Sequence, residues 1–197
     1  SLGADVGTTT FELYSKTQKG VLRVECAEGR HEVSFHRPIT FHYAVDGEHG
    51  DFLYLPANAT VNFYGLMQTS IAAPHSGPGY PNHWNYSCPT TCTVHWRGGM
   101  KASLNHKFPG GTHYVHKALT GGDRFSASNG AKVYLLAAGN SIGGATGGIS
   151  GGARIYATVP YALDSSANGK DQTLVFSGAS TLDICCHDQA LAVIASS

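Results

Sequence analysis

The stretch Thr93-Val94-His95-Trp96-Arg97-Gly98-Gly99-Met100-Lys101-Ala102-Ser103-Leu104 contains no proline and divides into two short runs at a glycine pair. Val94 and Trp96 share one side of a period-2 pattern. Beyond the glycines, Met100, Ala102 and Leu104 share a side again, with Lys101 and Ser103 opposite. Successive side chains of a strand point to opposite faces, so this alternation describes strands buried on one face only. Gly98-Gly99 permits a bulge or a close backbone approach, which re-aims the strand without ending it.

Working outward, further strands are expected at Val21–Glu25, Glu32–His36, Ile39–Val45, Thr60–Leu66, Lys132–Ala138, Ala153–Tyr161, Thr173–Phe176 and Thr181–Ile194, and the nearly all-apolar Asp51–Leu55 reads as a central strand with both faces covered. Turn residues such as Asp46-Gly47 and Gly121-Gly122-Asp123 separate these runs. No window combines helical periodicity with caps. The expectation is an all-β chain, an antiparallel β-sandwich of jelly-roll type with about 8–10 strands and long loops. All 197 residues suit one domain. Within it, residues 1–20 are an arm or edge strand, 72–89 a long surface loop holding four prolines, and 139–152 a glycine-rich connection. Internal repetition is not convincing, since the likeness between His42…Gly50-Asp51-Phe52 and His113…Gly122-Asp123 is loose.

Composition excludes several functions. Net charge is zero, from 13 basic and 13 acidic residues without a run of either sign. Autonomous nucleic-acid binding normally needs a basic stripe to meet the phosphates, and none is present. No apolar run approaches the length of a helical membrane span, and Ser1–Asp5 does not read as a signal peptide. Charged residues are only 13% of the chain, so surface burial against neighbours desolvates few charges. Five cysteines, Cys26, Cys88, Cys92, Cys185 and Cys186, are an odd count that fits a complete disulfide framework poorly. Reduced thiols are expected, with a Cys88–Cys92 bridge as the alternative. Asn58-Ala59-Thr60 and Asn85-Tyr86-Ser87 are glycosylation sequons if the chain is secreted.

The sequence holds no nucleophile elbow, no His-Glu-x-x-His and no phosphate loop, so no catalytic residue and no cofactor are expected. His113-x-x-His116, Cys88-x3-Cys92 and Cys185-Cys186-His187 have ligand-like spacing. On a strand, however, His113 and His116 point to opposite faces, and no metal is expected. Solvation near a turn accounts for the acid pair Glu28/Glu32. Gly50-Asp51-Phe52-Leu53-Tyr54-Leu55-Pro56-Ala57 resembles the turn-and-strand segment of cupins, a metal-dependent enzyme family, but that family's His-x-His and following Glu are missing. The aromatic loop residues Tyr80, His83, Trp84 and Tyr86 suggest a second kind of function. They would suit a secreted or viral projecting β-sandwich that binds glycans.

His95-Trp96-Arg97-Gly98-Gly99-Met100-Lys101 resembles the Trp-Arg-Gly stretch of picornavirus-like capsid jelly rolls, those of dicistroviruses and iflaviruses in particular. Ile155-Tyr156-Ala157-Thr158-Val159-Pro160-Tyr161 is similar to the late strand of that fold ending in Val-Pro-Tyr, and the likeness spans residues 92–197. The basic arm of many small plant-virus coats and the late acidic doublet of the picornavirus-like pattern have no counterpart. The resemblance implies a coat protein of a small RNA virus that self-assembles into an icosahedral shell, with copies of itself or sister capsid proteins as partners. A host receptor or glycan and indirect contact with genomic RNA follow from it, as does residence in the virion and, during assembly, the host cytoplasm. It makes Trp96 a core anchor and Arg97 a fold or interface cation. Gly98, Val159, Pro160 and Tyr161 join them as core and assembly residues.

Overall fold

The structure, a computed structural model, describes residues 9–13, 22–26, 31–43, 53–71, 86–102, 105–121, 124–140, 147–163, 173–189 and 193–196. In chain order the strands are β1 (Thr9–Leu13), β2 (Leu22–Arg23), β3 (Glu32–Phe35), β4 (Ile39–Tyr43), β5 (Leu53–Tyr54), β6 (Thr60–Phe63) and β7 (Met67–Ile71). Next come β8 (Tyr86–Ser87), β9 (Thr93–Trp96), β10 (Met100–Ala102), β11 (Asn105–Phe108), β12 (Thr112–Val115) and β13 (Thr120–Gly121). The last are β14 (Arg124–Ala127), β15 (Lys132–Leu135), β16 (Gly147–Ile149), β17 (Arg154–Ala157), β18 (Thr173–Phe176), β19 (Thr181–Asp183) and β20 (Val193–Ser196).

Every strand pairing among the described residues is parallel, and each strand pairs with its counterpart one coil away. One side is a seven-stranded sheet, β3-β6-β9-β12-β15-β17-β19. A second is the sheet β1-β4-β7-β10-β13, continued by a parallel bridge between Asn140 and Leu163. The third place in the coil order is taken first by β2-β5-β8 and then by β11-β14-β16-β18-β20. The chain is therefore a parallel β-solenoid. The antiparallel sandwich and jelly roll expected from the strand pattern are overturned by the direction of these sheets. The physical reason is that one-sided burial gives the same alternation whichever way the neighbouring strand runs. Turn residues read as strand breaks or bulges are here corners between sides. Gly98-Gly99 carries the chain from β9 to β10, which belong to different sheets.

Stacking aligns like with like. Val33, Val61, Val94, His113, Val133, Ile155 and Leu182 occupy one register position, and Phe35, Phe63, Trp96, Val115, Leu135 and Ala157 another. Both rows point inward. Phe35 lies 5.1 Å from Phe63 and Phe63 4.8 Å from Trp96, ring centre to ring centre and nearly parallel. Fully burying each such side chain contributes roughly 1.5–3 kcal/mol. The corner after this sheet demands glycine. A Cβ on Gly98 would stand 2.2 Å from the Gly65 carbonyl carbon, and one on Gly65 would stand 2.1 Å from that of Arg37. At another corner the buried Asn140 accepts the Leu119 N–H at 2.9 Å and donates to the carbonyls of Ala137 and Ala162 at 2.6 and 2.8 Å. It thereby ties successive coils where backbone groups would otherwise lack partners.

Two segments differ from their sequence reading. Tyr86–Ser87, expected in a surface loop, form β8, with Tyr86 and Cys88 buried; residues 72–85 lie outside the described residues. Within 139–152, Asn140 is buried and Gly147–Ile149 form β16.

Candidate functional site

The outer face of the seven-stranded sheet carries the groups that the core does not use. Its two outward register rows are Glu32, Thr60, Thr93, Thr112, Lys132, Arg154 and Thr181, and Ser34, Asn62, His95, Tyr114, Tyr134, Tyr156 and Asp183. Side chains at one register position on successive parallel strands stand about 4.7–4.9 Å apart. Flat rings at that spacing stack. His95 lies 4.7 Å from Tyr114, Tyr114 4.9 Å from Tyr134, and Tyr134 4.4 Å from Tyr156, with interplanar angles of 10°, 13° and 5°. The four rings form one ridge along the solenoid axis, half-buried, with polar edges outward. Burial holds the Tyr134 phenol above its ordinary range. The neighbouring phenols of Tyr156 and Tyr114 add to this, and Tyr134 also shares a hydrogen bond with Tyr156. The Tyr134 hydroxyl therefore keeps its proton at physiological pH.

At the His95 end the ridge meets a polar cluster. Glu32 accepts a hydrogen bond from Asn62 Nδ2 at 2.7 Å, and Asn62 Oδ1 accepts one from Arg97 Nε at 3.2 Å. The Arg97 guanidinium carbon lies 5.3 Å from the ring centre of Tyr64, which stacks on His36. His95 Nδ1 and His116 Nε2 are 3.0 Å apart. Both imidazoles titrate below the usual histidine range, through burial first and then the nearby Arg97 charge; His116 adds to the effect on His95, and Glu32 opposes it. Among the described residues no carboxylate forms an ion pair with Arg97, and Lys132 and Arg154 flank the ridge on the exposed row. Arg97, Lys132 and Arg154 share this face with the carboxylates Glu32 and Asp183.

The residues singled out from sequence have mixed fates. Trp96 is fully buried, and its indole N–H donates to His113 Nδ1 at 3.3 Å. Arg97 is half-buried on the outer face with an amide and a ring as partners, and Gly98 makes the corner. Val159 packs against the core, while Pro160 is exposed and Tyr161 is 54% exposed, with its backbone in the left-handed region at φ 53°. Tyr86, expected on a binding loop, is instead inside the solenoid, its ring edge-on to Trp96 and His113. Tyr80, His83 and Trp84 lie outside the described residues. The ligand-like pairs are not assembled: His113 points inward and His116 outward, and no cluster of three or more potential metal ligands occurs among the described residues. The described cysteines are free thiols.

The ridge itself was missed. Its signal is Thr112-His113-Tyr114-Val115, Lys132-Val133-Tyr134-Leu135 and Arg154-Ile155-Tyr156-Ala157. These are three copies of polar-inward-Tyr-inward, each one to two residues after a glycine. Periodicity at one coil length is what a solenoid writes into its sequence. No family model, curated protein or solved structure matches the chain.

Proposed function

We propose that this protein is a glycan-binding module, and that an extended polysaccharide lies along the solenoid axis on the outer face of the seven-stranded sheet. The observation that carries this reading is the ridge of His95, Tyr114, Tyr134 and Tyr156, repeating once per coil with hydroxyls at its edge and cations beside it. A sugar chain presents hydroxyls and C–H faces at regular intervals. A rigid row of phenol edges answers the hydroxyls, with little side-chain entropy left to lose. The flat sheet supplies length, since each coil adds one more ring without altering the last.

Assembly into an icosahedral shell rested on jelly-roll geometry and loses that support with the parallel sheets. Glycan recognition was the alternative expectation, assigned to the aromatic residues of the 74–89 loop. The described geometry favours a different surface for it.

The test is affinity electrophoresis of the purified chain through gels containing pectate, alginate, heparin, xylan or mixed-linkage glucan. Retardation by at least one polysaccharide, weakened in Tyr134→Ser with an unchanged circular-dichroism spectrum, is the expected result. Unretarded migration through every gel overturns the reading.

A further inference from the structure

We infer that Arg97, His95 and His116 form a subsite for one anionic group of the ligand, a carboxylate or a sulfate. This deepens the glycan reading and rests on it for the polymer, though not for the anion. Three features carry it. First, among the described residues Arg97 gives Nε to Asn62 and stands over the Tyr64 ring, and no carboxylate there pairs with the guanidinium, so no described acceptor takes its terminal N–H groups. Guanidinium groups suit two-oxygen anions because their paired donors match the spacing of the oxygens. Second, His95 and His116 bring ring nitrogens within 3.0 Å of each other beside that guanidinium. Two imidazoles so placed share one proton when neutral and repel when both are charged. An anion between them and Arg97 relieves that repulsion. Third, the cluster stands at the end of the tyrosine ridge, through the His95–Tyr114 stack, so a charged group here continues the line of the sugar chain.

The charged and titratable groups around the pair are Glu32 from β3, Tyr64 after β6, Arg97 after β9, and Tyr114 and Lys117 from β12 and the turn behind it. Among the described residues around the pair Glu32 alone is acidic, and it is already engaged by Asn62. An anion favours the protonated imidazoles, so binding takes up protons and tightens as pH falls below the ordinary histidine range.

The experiment compares oligogalacturonate with its uncharged methyl ester by calorimetry on the full chain at pH 7.5 and pH 6. It is paired with an NMR titration of the imidazole C–H resonances against inorganic sulfate. The wild type is expected to prefer the acid by about tenfold, the value of one hydrogen bond to a charged group, and more strongly at pH 6. Arg97→Gln and His116→Asn remove the preference while keeping affinity for the ester, and Arg97→Lys retains part of it. Equal affinity for acid and ester in the wild type, unchanged in Arg97→Gln, overturns the subsite and leaves the glycan reading standing. If neither oligosaccharide binds, that reading fails for this polymer, and sulfate decides the subsite alone. Movement of the His95 and His116 resonances toward the protonated form supports it, and resonances that sulfate does not move overturn it.

Discussion

His106 offers the sharpest test of the solenoid interior. It sits on β11 in register with Phe125, fully buried, and neither ring nitrogen has a hydrogen-bond partner. Burial pushes its pKa down to about 4, although the Thr120 and Gly121 backbone nearby favours the proton. His113, also fully buried, is likewise pushed down to about 4 by burial, against the pull of the Gly110 carbonyl that accepts its Nε2–H. In an unfolded chain both would titrate near 6.5. The folded pKa lies below the unfolded one, so the unfolded state takes up more protons as pH falls. The stability contributed by keeping these rings neutral is complete above pH 6.5 and is lost between there and pH 4. At pH 5 each ring costs about 2 kcal/mol, together about 4, a large share of a total stability of about 5–15 kcal/mol. Replacing His106 by leucine should remove one of the two. Because the imidazole leaves its polar atoms unsatisfied, His106→Leu should also stabilise the protein at pH 7 by about 1–3 kcal/mol. Urea denaturation at pH 7 and pH 5, following tryptophan fluorescence, measures both effects. A variant less stable than wild type at pH 7, with an unaltered loss on going to pH 5, would falsify the placement of this ring.

Trp96→Ala is expected to cost roughly 3–5 kcal/mol, since it empties the stack on Phe63 and strands His113 Nδ1. An unchanged thermal midpoint would remove Trp96 from the core. Gly98→Ala drives a methyl group into the Gly65 backbone and should cost about 1–3 kcal/mol or more, as overpacked sites do. Gly130→Ala, at φ +69° with open space around it, should cost only the left-handed strain of about 1–2 kcal/mol; equal losses in the two variants would mean that the corner is not close-packed. The Cys88 and Cys92 thiols, both buried, act on each other: the interaction and burial raise the first, and the interaction lowers the second against burial. Refolding with glutathione disulfide should therefore join them, transferring their two hydrogens to the oxidant and stabilising the fold by less than about 3 kcal/mol for so short a loop. Recovery of both thiols by alkylation after refolding would contradict that proximity.

Strand content was legible because Val94 and Trp96 are buried on one face whatever their neighbour's direction. Direction was not legible, because it depends on which strand lies alongside. Trp96 pairs with Phe63 and Val115, residues far outside any local window. The step between coils also varies, from 33 residues between Val61 and Val94 to 19 between Val94 and His113, which blurs the repeat. The tyrosine ridge was hidden for the same reason. Tyr114, Tyr134 and Tyr156 are unremarked singly, and become a row only when the coil length is known. His95 and Arg97 were in plain view inside the most informative stretch. Reading them as parts of a strand that tiles a shell drew attention to Trp96 and away from the face they share.

The order of strand pairing has a mechanical corollary. Each winding is fastened only to the ones before and after it, with no long-range clasp among the described residues closing the stack end to end. Pulled by one terminus in an optical trap, such a molecule should unreel in a saw-tooth of successive yields. Each yield should release the slack of a single winding, and the largest should come where the tryptophan leaves its stack.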